Sequence, residues 1–179
     1  MSALPFASDV AACVLAPAVS FYIRSQRERL GRTSSVLSEY FQKQFRSYFN
    51  SIDLERVRIV ECNSLPVPDP PLASQLRRLG LDFPSPSTAA AITFDYVIAA
   101  RVALNPSLLF HELVHVVQFR LLGVMKFSRF YVRGFLSGGS YYGIPLEQCA
   151  FELERRFEAE RSDFDVEREV ADWITRKIF

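Results

Sequence analysis

Residues 18–29 repeat apolar positions at helical spacing, and the aromatic run 40–49 predicts a second helix beyond a Ser/Thr-containing loop. Val57-Arg58-Ile59-Val60 alternates weakly and predicts a strand. Residues 64–71 carry four prolines and read as loop. A short helix over 72–79 follows, stopped by Gly80, and a second Pro/Ser loop runs through Ser87. Ile92, Phe94, Tyr96 and Ile98 then alternate with Thr93, Asp95, Val97 and Ala99, which predicts one strand over 92–98.

Next comes a helix of a different kind. Asn105 is placed as its N-cap, Pro106 at its first position, and Gly123 at its end. Residues 107–122 between them are apolar almost all round, so this helix belongs in the core. Further helices are predicted over 126–136 and from Pro145, separated by the glycine-rich loop 137–143. The last helix opens on a capping-box variant, Ser162 with Asp165, and carries the apolar stripe Val166, Val170 and Trp173. Few strands and about six helices predict an α+β fold, mostly α. A small antiparallel or mixed sheet packs on the buried helix, and C-terminal helices follow. The simplest organisation is one domain over 1–179, with an N-terminal helical region 1–55 and a core 56–179.

Composition narrows the function classes. The 49% hydrophobic content, with 16 Phe and 7 Tyr, excludes a disordered chain. A net charge of +1 gives no electrostatic basis for nucleic-acid binding, and Arg24, Arg27, Arg29 and Arg32 read as a solvated helix face. Cys13, Cys62 and Cys149 are scattered, odd in number and form no CxxC pair, as expected of reduced thiols. The apolar stretch 10–16 is too short to span a bilayer and lacks a basic n-region. The expectation is a soluble, cytoplasmic protein without stable membrane insertion.

The chemistry sits on the buried helix. The chain has two histidines, His111 and His115, and they stand four residues apart in His-Glu-Leu-Val-His. Such a pair followed directly by an acid arises by chance on the order of once in eight hundred sequences of this composition. One helical turn brings both imidazoles, with Gln118, into one narrow sector, where they can share a metal ion. Glu112 beside them is the candidate general base that activates metal-bound water. Buried without partners, these polar groups would cost several kcal/mol, and a Zn2+ ion satisfies them together.

A catalytic zinc needs a third protein ligand and an open position. Gln118 and Leu121 stand where the metzincin pattern requires glycine and histidine, so that class is excluded. The Pro145 helix offers carboxylates instead. Leu146, Ala150, Leu153 and Phe157 form its apolar stripe; Gln148, Glu152, Arg155 and Arg156 form its polar face. Glu147 lies on the flank between them, in the first turn, and is the favoured ligand. Glu154 shares that flank as a supporting group or the ligand itself, and Glu158 continues it towards the helix end.

With these residues in place, the chain resembles a zincin of the gluzincin type. It is similar to the short bacterial zinc-peptidase-like proteins with a His-Glu-Leu-x-His-x-x-Gln helix and a Pro-Leu-Glu helix. The matching residues are His111, Glu112, Leu113, His115, Gln118, Pro145, Leu146 and Glu147, within about residues 92–157. The resemblance implies a minimal zincin-like catalytic core, zinc held by His111, His115 and Glu147, and Glu112 as base. It also implies an edge strand near residues 92–98 that pairs with an extended substrate. The expected activity is hydrolysis of peptide bonds in a peptide or protein substrate. Tyr141, Tyr142 or Tyr131, or else Arg133, would stabilise the oxyanion. The competing expectation is a non-catalytic module, zinc-bound or metal-free, that keeps the fold and binds a partner.

Overall fold

The structure is a computed structural model that describes residues 4–66, 89–138, 140–159 and 163–177. Its elements in order are α1 (Leu4–Gly31), β1 (Ser35–Val36), α2 (Glu39–Phe45), α3 (Ser51–Arg56), β2 (Arg58–Glu61), β3 (Ala91–Phe94) and β4 (Val97–Ala100). The long α4 (Pro106–Gly138), a 3-10 turn at Tyr141–Gly143, α5 (Pro145–Ala159) and α6 (Val166–Lys177) complete it. The fold is mostly helical with a small mixed sheet and C-terminal helices, as the hydrophobic pattern predicts. The helix expected over 72–79 and its flanking loops from residue 67 lie outside the described residues.

The sheet order is β1-β2-β4-β3, with β2 and β4 parallel and the other two pairs antiparallel. The single strand expected over 92–98 is two strands. Phe94 pairs with Val97, so Asp95 and Tyr96 form a two-residue turn with Asp95 at φ 62°. Alternation runs unbroken through this hairpin, and Asp-Tyr lacks the glycine that ordinarily marks such a turn, so periodicity alone does not reveal it. Tertiary contacts hold the turn. Arg27 of α1 pairs with Asp95 at 2.8 Å, and the guanidinium groups of Arg27 and Arg56 lie 5.7 and 5.0 Å from the Tyr96 ring centroid. All four β4 residues are buried, because β4 lies inside the sheet with both faces covered.

α1 also departs from expectation: it starts at Leu4, not near residue 18, and runs through Pro17. A proline inside a helix removes one backbone bond, to the carbonyl of Cys13 here, and ordinarily ends or kinks the helix. Pro17 and Cys13 both face outward, where water can serve that carbonyl. On the opposite side Ala12, Ala16, Ser20, Ile23 and Leu30 are buried where α1 packs along α4. That packing outweighs the local penalty.

α4 follows its sequence signals closely. Asn105 Oδ1 accepts the Leu108 amide hydrogen at 2.9 Å, and Pro106 is the first helical residue. Gly123, at φ 70° and ψ 157°, breaks the helix in a region that residues with a Cβ essentially do not occupy. The second half starts at once, turned onto the first, and Phe119 stacks on Phe127 across the break at 3.7 Å between centroids. It is the one described helix long and apolar enough to cross a membrane, but 67% of its most apolar window is buried within the fold. α6 is capped by Asp165, whose carboxylate accepts the Arg168 amide hydrogen at 3.1 Å. Asp165 therefore takes the cap position assigned to Ser162, which lies outside the described residues. Val166 and Val170 are fully buried, as their stripe predicts.

Candidate metal centre

His111 and His115 project from α4 in one sector, and their Nε2 atoms lie 3.2 Å apart. Glu147, in the first turn of α5, brings its Oε2 to 3.4 Å from His111 Nε2 and 3.3 Å from His115 Nε2. These three residues form a buried group able to hold a metal ion, 4%, 6% and 3% exposed respectively. The spacing is itself informative. Donors about 2.0–2.1 Å from a tetrahedral ion stand about 3.3 Å from one another. The three observed separations lie within 0.1 Å of that edge. The residues present fit a metal.

The surrounding hydrogen bonds select the metal-binding form of each imidazole. His115 Nδ1 donates to Gln118 Oε1 at 2.9 Å, while Gln118 Nε2 donates to the Leu146 carbonyl at 2.9 Å. The carbonyl fixes which end of the amide is the donor, so Gln118 must accept from His115. His111 Nδ1 lies 3.0 Å from Glu154 Oε2. Both Nδ1 atoms are thus committed to outer partners, which leaves both Nε2 lone pairs aimed at the shared space. Glu154 thus stands behind His111, outside the group formed by His111, His115 and Glu147.

Burial alone would lower both imidazole pKa values, but the carboxylates outweigh it. Glu147 and Glu154 take His111 up to about 10, and Glu147 also raises His115. Burial pushes in the other direction on Glu147, yet the two imidazoles hold its carboxyl far below the usual range. Without a metal, protons on the imidazoles neutralise this cluster; a cation in their place does the same.

Glu112 is 5% exposed, and Thr93 of β3 donates its hydroxyl to Glu112 Oε2 at 2.6 Å. Burial raises the Glu112 pKa against the pull of the two imidazoles. Thr93 was not singled out from sequence. Its only signal is its place in the alternation, on the face opposite Phe94.

The remaining candidates divide. Tyr141, in the 3-10 turn, donates its hydroxyl to Glu147 Oε2 at 2.5 Å. Tyr131, on the second half of α4, is buried near Glu147, and burial together with that carboxylate raises its pKa well above normal. Tyr142 is 72% exposed and packs its ring against Phe151, which in turn lies 4.6 Å from the His111 ring. Arg133 is turned away and pairs with Asp9 of α1 at 2.8 Å. Glu152 is exposed and pairs with Arg155, and Glu158 accepts a hydrogen bond from Ser107 at the start of α4.

Backbone packing sets the position of Glu147. A Cβ on Gly134 would lie 2.6 Å from Pro145 Cδ, so only glycine lets the start of α5 come this close to α4. Trp173 of α6 donates to the Pro145 carbonyl at 3.1 Å and secures the same corner. Compared with known protein families, with curated proteins and with solved structures, the chain matches none.

Proposed function

We propose that this protein is a zinc-dependent metallopeptidase. The observation that carries the reading is the buried triangle of His111 Nε2, His115 Nε2 and Glu147 Oε2 at tetrahedral spacing, with Glu112 next in sequence to a ligand. Two imidazoles and one carboxylate form the usual ligand set of catalytic zinc, which leaves a fourth position open. Zinc bound there would act as a Lewis acid and lower the pKa of water. A purely structural site has no use for an adjacent base.

The residues divide the work. Thr93 occupies one Glu112 oxygen and leaves Oε1 to take a proton from the attacking water and pass it to the leaving amine. Burial holds the Glu112 pKa up, which suits a group that accepts and then returns a proton. Tyr141, whose hydroxyl already points at the metal-facing oxygen of Glu147, is placed to donate to a developing oxyanion. Tyr142 stands further out, at the exposed rim. Among the described residues β3 pairs with β4 alone, so its outer edge can pair with an extended peptide. The sequence resemblance to gluzincins supports the same assignment.

One observation favours a second reading, a non-catalytic metal site that ties α4 to α5. All three ligands and Glu112 are at most 6% exposed, and a substrate needs more room than that. Two measurements on the purified chain separate the readings. Elemental analysis is expected to give about one zinc per chain. Glu112→Gln is expected to keep that zinc and lose all hydrolysis of a peptide library. Equal turnover by both proteins would rule out Glu112 as the base, and none by the wild type would leave the structural reading in its place.

A further inference from the structure

α1 is apolar on the wrong side as well as the right one. Residues 10–23 include no charged side chain, although only one side of this stretch packs on α4. At 100° per residue, Val10, Cys13, Val14, Pro17, Ala18 and Phe21 share an outward sector of roughly 140°. All six are exposed, Val14 by 70% and Phe21 by 76%. A helix that is apolar all round ordinarily has an apolar neighbour on every side. A contiguous exposed patch of this kind marks a contact surface.

Charge at the end of the patch identifies the neighbour. Arg24 continues the same sector, and Arg29 and Arg32 are exposed beyond it, against the single acid Glu28. At the other end the nearest charge, Asp9, is neutralised by Arg133. A second copy fits this surface poorly. A parallel two-fold pairing sets Arg24 against Arg24, and an antiparallel pairing centred on Pro17 sets Arg24 against the apolar Val10. An anionic bilayer offers both environments in the right order, acyl chains for Val14 and Phe21 and phosphates for the arginines. The 14 uncharged residues cover only about 21 Å as a helix, short of the roughly 30 Å hydrocarbon core. The contact is therefore peripheral.

We propose that the outward face of α1 seats the protein on an anionic lipid surface. The test is sedimentation of the full chain with vesicles of phosphatidylcholine alone or with about one-third phosphatidylglycerol. The wild type is expected to sediment with the anionic vesicles and not the neutral ones, and to dissociate as salt is raised. The double variant Val14→Ser with Phe21→Ser is expected to bind at least tenfold more weakly, with unchanged circular dichroism. Should that variant fold poorly, Arg24→Gln with Arg32→Gln tests the same surface through its charge. Wild type that stays in solution with both vesicles, or variants that sediment as well as wild type, would overturn the proposal. So would a dimer in light scattering that the variants abolish without any vesicle binding, because it assigns the face to a second copy. Neither result bears on zinc or on Glu112.

Discussion

Gln118 holds His115 from one side and the Leu146 carbonyl from the other, at 2.9 Å each. One amide thereby orients a metal-facing imidazole and fastens the helix that carries Glu147. Gln118 is fully buried, so neither bond can be replaced by water at little cost. Gln118→Ala is expected to weaken zinc binding about 10–100-fold, as loss of a supporting partner commonly does. It should also lower stability by about 1–3 kcal/mol, because the Leu146 carbonyl loses its donor. Competition with a chelating dye and a thermal melt measure the two effects.

The ligands themselves should behave as a unit. His115→Ala and Glu147→Ala are each expected to abolish stoichiometric zinc, whereas Glu152→Ala leaves it unchanged, since Glu152 is exposed and pairs with exposed Arg155. Elemental analysis after dialysis reads the difference. Zinc retained by Glu147→Ala would remove Glu147 from the ligand set.

Gly134→Ala tests whether backbone packing places the third ligand. The added methyl meets Pro145 Cδ at 2.6 Å, and the proline ring cannot swing aside as a flexible side chain would. The expected cost is about 1–3 kcal/mol of stability. Zinc affinity is expected to fall as well, although no ligand has changed. A lower melting temperature with unaltered affinity would show that α5 keeps its position by other contacts.

The metal-free protein should be sensitive to alkali. The His111 pKa is raised from 6.5 to about 10 in the fold, where Glu147 and Glu154 outweigh burial. A raised pKa means that the folded state holds the proton more tightly than the unfolded chain. This contribution to stability is full below about pH 6.5 and is lost as pH rises towards about 10. Zinc needs the same nitrogens unprotonated, so its affinity is expected to rise over the same interval. Thermal melts from pH 6 to 10, with and without zinc, should diverge progressively. Parallel curves would argue against His111 as a ligand.

The sequence by itself determined whatever depends on a single helix. His111, His115 and Gln118 share a sector because 3.6 residues make a turn, and that holds wherever the helix docks. Asn105, Pro106 and Gly123 bound the motif helix by local backbone chemistry, and each acts as its type predicts. Glu147 was legible for a related reason: a carboxylate between apolar neighbours needs a cation. Tertiary structure decided the rest. Thr93 reaches Glu112, and Glu154 reaches His111 Nδ1, only because residues 19 and 43 positions apart are brought together. Arg133 was lost to the site because α1, extended through Pro17, supplies Asp9 to hold it elsewhere. The hairpin at Asp95 was hidden for the same reason, since its turn is held by Arg27 from α1 and not by its own residues. Periodicity reports which side of an element faces inward; what it meets there depends on how distant elements pack.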